Sequence, residues 1–128
     1  MIQIIKKITC LALILTTLFT ASIFAQDRVT IDRQVRFGRG SNSTVINGKI
    51  ARGTSQIYRV RAREGQEMAV VLKTGDDTSF TISGWSAGIL EDADGVQRAV
   101  VELPETGEYV IQIGTDASAD YSLEITID

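Results

Sequence analysis

The residues able to do chemistry in this 128-residue chain are carboxylates, arginines and one tryptophan. There is no histidine, and the one cysteine, Cys10, stands near the start of the chain. That removes Ser-His-Asp and Cys-His nucleophilic catalysis, histidine general-acid chemistry, and zinc sites built on imidazole or thiolate. The run Glu91, Asp92, Ala93, Asp94, Gly95 resembles the opening of a calcium loop. It lacks the remaining ligand spacing and the closing bidentate glutamate, so it reads as a solvated Asp-Gly turn. Asp76 and Asp77, after Gly75, read the same way. A carboxylate pair can hydrolyse a glycoside, yet nothing in the sequence pairs any two of the acids. No catalytic, cofactor-binding or metal-binding residue is assigned.

The arginines and the tryptophan are candidates for contact. Arg59, Arg61 and Arg63 alternate along one strand face. Such a row can meet phosphate or polysaccharide, but cross-strand pairing with Glu102, Glu108 or Glu124 is its expected use, and nucleic acid is not an expected partner. Trp85, in the run Gly84 to Gly88, has two readings: a cap over an open end of the core, or a binding contact.

The elements that must position these residues begin after an export signal. Lys6 and Lys7 precede an apolar run, Ile8 to Leu18, which ends at the small residues Ala21, Ser22 and Ala25. This is the pattern of a cleavable signal peptide over residues 1–25, too short and too broken by threonine for a spanning helix. Cys10 precedes most of the apolar run, unlike a lipidated cysteine, which follows it. The expected product, residues 26–128, is one cysteine-free domain, periplasmic or secreted, with no membrane anchor after cleavage.

Loss of Lys6 and Lys7 leaves 11 basic and 16 acidic residues, a net charge of −5. From Asp27 to Lys73 there are ten basic and four acidic residues, and from Thr74 onward one basic and twelve acidic. Two separate surfaces would make the molecule dipolar; strands of the two halves pairing with each other would neutralise it, and the second reading is preferred.

Period-two alternation dominates residues 26–128. Val29, Ile31, Val35 and Phe37 share one face of a first strand. Further inward rows are Ile46, Gly48 and Ile50; Tyr58, Val60 and Ala62; Met68, Val70 and Leu72; and Phe80 and Ile82. After an irregular stretch from Gly84 to Gln97 come Ala99, Val101 and Leu103; Tyr109, Ile111 and Ile113; and Tyr121, Leu123, Ile125 and Ile127. Asn47-Gly48 is a hairpin signal, but splitting there leaves strands too short to pair, so Gly48 is placed inside a strand at a point of close packing. About eight short strands with regularly spaced turns predict an all-β, antiparallel β-sandwich, jelly-roll-like, as a single domain.

The run VRFGRGSNSTVINGKIARGTSQIYRVRAREGQEMAVVLKT, with LPETGEYVIQIG and YSLEITI later, resembles the periplasmic inhibitors of g-type lysozyme. It is similar more broadly to the secreted pre-peptidase C-terminal β-sandwich domains. The likeness rests on Arg36, Phe37, Gly40, Ser41, Gly48, Ile50, Gly53, Tyr58, Ala62, Gly65 and Gln66, then on Leu103, Pro104, Gly107, Tyr109 and Tyr121. It implies a β-sandwich whose inter-strand loops enter a lysozyme cleft, a non-catalytic role, and a lysozyme or other extracellular protein as partner. Those inhibitors carry a longer, Arg- and Asn-rich loop between the last two strands, whereas this chain has only GTDASAD, without a basic residue. Arg39 and Arg52, in other turns, stand as substitute contacts beside Trp85. The alternative is an accessory or cell-surface structural domain without inhibitory activity; a carboxylate-only glycoside hydrolase is the distant third.

Overall fold

The computed structural model describes residues 28–75 and 77–128. The expected export signal, residues 1–25, with Cys10, and Asp76 lie outside the described residues. Nine strands are present among them: β1 (Arg28–Gln34), β2 (Ser43–Ile50), β3 (Thr54–Ala62), β4 (Glu67–Lys73), β5 (Thr78–Gly84), β6 (Gly88–Ile89), β7 (Arg98–Glu102), β8 (Gly107–Thr115) and β9 (Ala119–Ile127). One sheet runs β1-β3-β8-β5-β6 and the other β2-β9-β4-β7. Every connection except that from β5 to β6 passes from one sheet to the other, as a jelly-roll-like sandwich requires. The turns therefore bridge the sheets and gather at the two ends.

The expected core is the observed one. Tyr58, Val60, Met68, Val70, Leu103, Tyr109, Ile111, Tyr121 and Leu123 are all buried, each from the apolar face of its strand. Alternation buries one face of each strand and solvates the other, so both sheets contribute to a single cluster. The charge halves interleave as preferred: β3 pairs with β8, and β2 and β4 pair with β9.

The first strand departs from expectation in two ways. β1 pairs with β3 in parallel, the exception in otherwise antiparallel sheets, and its register shifts between Val29 and Ile31. An extra residue in a ladder reverses the alternation beyond it. Val29 is accordingly 49% exposed, not inward, while Val35 is buried and Ile31 and Phe37 pack partly against the core. The stretch after Gly84 is also less irregular than expected. It holds β6, a 3-10 turn over Glu91–Ala93, and Val96 bridged to Phe80.

Tyrosines lock the packing. The Tyr109 hydroxyl donates to the Glu105 carbonyl at 2.6 Å and accepts from the Glu105 N–H at 3.1 Å, pinning the turn that enters β8. Between the sheets the Tyr58 and Tyr121 hydroxyls meet at 2.6 Å, Tyr121 also reaches the Gln56 side-chain carbonyl, and Gln56 Nε2 donates to the Lys49 carbonyl at 2.7 Å. A buried polar network is tolerable only when its members are satisfied, and these are.

Candidate binding ends of the sandwich

The register of the strands sorts the candidate residues by end. At one end lie the turns β2–β3 (51–53), β4–β5 (of which 74, 75 and 77 are described) and β8–β9 (116–118). At the other lie residues 35–42, 63–66, 85–87 and 103–106. Arg52 belongs to the first end, and Arg39 and Trp85 to the second. They are separated along the strands by ~30 Å, from about 3.3 Å per residue over a nine-residue strand.

At the first end, Gly53 closes the Arg52 turn with φ +72°, a conformation glycine adopts without strain. Thr54 ties the turn down, its N–H and hydroxyl both donating to the Ala51 carbonyl at 3.1 and 2.6 Å. The Arg52 N–H donates to Ser118 Oγ at 3.1 Å, which puts the β2–β3 turn directly against the short β8–β9 turn. The Asp116 N–H reaches the Asp77 carbonyl at 3.0 Å, and the Thr78 and Thr115 hydroxyls meet at 2.8 Å. Three turns are thus laced into one rim. An open polar groove beside it is lined by Arg52, Gly53, Asp77, Ser79, Gly114, Thr115 and Asp116. The last turn lacks a basic residue of its own, and a neighbouring turn sets one beside it.

At the second end, Trp85 is 84% exposed, so the reading that it caps the core is overturned. Its turn is instead fastened by polar bonds: Ser86 donates from N–H and Oγ to the two Glu105 carboxylate oxygens, at 3.0 and 2.7 Å. Those bonds hold the Glu105 carboxyl below its ordinary pKa. Arg39 is exposed in a separate turn that Gly40 completes at φ +76°. Trp85 sits at the β5–β6 edge of its sheet and Arg39 follows β1, at the opposite edge.

The arginine row resolves only partly as expected. Arg59 grips Asp32 through two bonds, at 2.7 and 2.9 Å, and Glu108 at 3.1 Å. Glu102 and Glu124 do not serve the row, because β7 and β9 belong to the other sheet; Glu102 stands opposite Glu67 there. Asp32, on the bulged first strand, is the partner that period-two reasoning missed. In the EDADG run, Asp94 Oδ1 accepts from the Thr81 hydroxyl at 3.2 Å and the Gly95 N–H donates to the same hydroxyl at 3.0 Å. No group of three or more Asp, Glu, His or Cys gathers among the described residues.

Solved structures share this architecture. The periplasmic inhibitor of g-type lysozyme from Aeromonas hydrophila superposes with a TM-score of 0.71 at 23% identity, covering 80% of this chain and 99% of that one. The fold is that of these inhibitors. The inhibitor from Salmonella Typhimurium gives a TM-score of 0.62 at 22% identity, over 77% of this chain and 98% of its own. The pre-peptidase C-terminal domain of a collagenase from Bacillus anthracis gives 0.51 at 12%, over 80% and 96%. Both kinds of protein that the sequence resembles are thus among its structural neighbours. No family model matches the chain, and no curated protein matches it significantly. The superpositions cover almost the full length of the inhibitors, so what is shared is the sandwich fold.

Proposed function

We propose that this protein is a non-catalytic periplasmic binding protein that inhibits a lysozyme of the g type by presenting the Arg52 end of the sandwich to the enzyme's cleft. The observation that carries the reading is the coincidence of the inhibitor fold with the position of Arg52. A glycosidase cleft presents catalytic carboxylates, and a guanidinium is the group that pairs with them best. The short last turn offers Asp116 and would be repelled on its own, but the Ser118 bond fixes the Arg52 turn next to it.

The described carboxyls whose titration is displaced, Asp32 and Glu105, are both held on the low side. The purified protein should slow cell-wall lysis by goose-type lysozyme in a dose-dependent way and release no sugar by itself. Lysis at the uninhibited rate with a molar excess of protein defeats the reading and leaves the accessory structural role.

A further inference from the structure

We propose that the free edge of β2 is a docking edge that takes an extended acidic segment of another protein by strand addition. This surface is distinct from the Arg52 end and does not depend on the lysozyme reading.

The register settles which groups of β2 face outward. In an antiparallel ladder alternate residues bond to the neighbour and the others point away. The Ile127 N–H donates to the Asn42 carbonyl at 2.9 Å, so the even-numbered residues of this segment turn toward β9. The odd-numbered ones, Ser43, Val45, Asn47 and Lys49, turn outward. Two of these outward positions are already occupied. Ser41 Oγ donates to the Ser43 carbonyl at 2.9 Å and accepts from its N–H at 3.3 Å, and Gln56 takes the Lys49 carbonyl. Between them, no described residue bonds the outward N–H and C=O of Val45 and Asn47. Both residues are exposed, Val45 by 54%.

The other edges are less open. β6 has two residues, β1 is broken by its bulge, and β7 is packed against the 3-10 turn of Glu91–Ala93. Folded proteins ordinarily blunt an open edge, and β2, blunted by Ser41 at one end and by Lys49 and Gln56 at the other, stays open at Val45 and Asn47 between them.

What lies beside the edge selects the partner. A groove of ~280 Å³ runs between Arg33, Gln34, Val35 and Arg36 on one side and Thr44–Ile46 on the other. Its buried members, Val35 and Ile46, are apolar, and two guanidiniums stand beside them. Arg33 is steadied over the Tyr58 ring at 5.4 Å, and neither Arg33 nor Arg36 joins an ion pair among the described residues. A strand alternating apolar and acidic side chains satisfies the edge, the groove and the arginines together. A second copy of this chain fits poorly, since two-fold pairing of β2 about the Val45–Asn47 stretch would bring Arg33 and Arg36 of both copies to one seam.

The probe is a short, end-blocked peptide alternating valine and glutamate, with the valine-lysine peptide as control. Amide hydrogen exchange of the purified protein is read by NMR. The Val45 and Asn47 amides should slow about tenfold with the glutamate peptide and remain unchanged with the lysine peptide. Val45→Pro removes an outward N–H that the ladder does not use, so it should abolish the effect while leaving the β9 amides protected. Arg33→Glu with Arg36→Glu should exchange the preference of the two peptides. Equal slowing by both peptides, slowing confined to other strands, or none at all overturns the proposal. Protection of Val45 and Asn47 that rises with protein concentration alone would assign the edge to a second copy and overturn the acidic-partner assignment. Lysis assays do not read this edge, so failure here leaves the inhibitor reading untouched, and the converse also holds.

Discussion

Gly48 is where a single atom decides the fit of the two sheets. A Cβ placed there would lie 2.6 Å from Cζ and Oη of Tyr121. That ring tip cannot swing aside cheaply, because it is bonded to Tyr58 and Gln56. Alanine gains about 0.5–1 kcal/mol over glycine in a strand interior from the lost chain entropy, but overpacking costs about 1–3 kcal/mol, so the clash prevails. Gly48→Ala should lower urea stability by about 1 kcal/mol or more with an unchanged slope; equal or greater stability would show that the tyrosine pair is free to move. Ser55 predicts the opposite sign. Its hydroxyl is buried and meets no hydrogen-bond partner among the described residues. Ser55→Ala should therefore be neutral or stabilising by up to about 1 kcal/mol, and a clear loss would reveal a partner for the hydroxyl. The role of Gly48 was legible in the sequence as a glycine inside an alternating strand. The lack of a partner for the Ser55 hydroxyl was not, because side-chain satisfaction depends on which strand lies alongside.

Among the elements, β1 is the one the alternation misdescribes, and the reason is physical. A period-two pattern reports which face is buried but carries no information about the neighbour or its direction. A parallel partner reached through a sheet-crossing connection leaves no local turn signal, and the shift after Val29 breaks the pattern itself. The strands closed by Gly-containing turns and flanked by uninterrupted alternation fell where expected. The loop residues were harder, since a turn tryptophan such as Trp85 follows no periodic rule. β1 is held by the Arg59 grip on Asp32, whose hydrogen bond keeps the Asp32 carboxyl below its ordinary 3.8. A carboxyl depressed in the folded state contributes stability that is complete above its ordinary value and is lost as the pH falls through the folded-state value. Acid should therefore loosen β1 ahead of the core. Between about pH 5 and pH 2.5, exchange of the Asp32 to Gln34 amides, corrected for intrinsic rate, should accelerate more than that of Ile111. Asp32→Asn should make the difference between the strands independent of pH. A parallel response of both strands to acid in the native protein would mean that the grip does not hold β1.

At the scale of the whole molecule the strands of the two charge halves interleave, and the two ends of the sandwich differ in what they present. One end offers Arg52 beside the last turn, the other Trp85 and Arg39 on opposite edges. A stiff sandwich cannot bring both ends to one cleft, since they lie ~30 Å apart along the strands. Arg39 and Arg52 therefore cannot share the work of a single inhibitory contact, and single replacements decide between them. Arg52→Ala should weaken inhibition of goose-type lysozyme by about tenfold or more, as loss of a central charged contact does, and Arg39→Ala should change it less than about twofold. Ser118 refines the test, because its hydroxyl accepts the Arg52 N–H and steadies the turn without offering charge. Ser118→Ala should fall between the two, weakening inhibition while leaving thermal stability nearly unchanged. Weakening by Arg39→Ala, with Arg52→Ala inert, would move the contact to the Trp85 end. Trp85→Ala should then abolish inhibition, because an exposed tryptophan is the strongest anchor that end can offer.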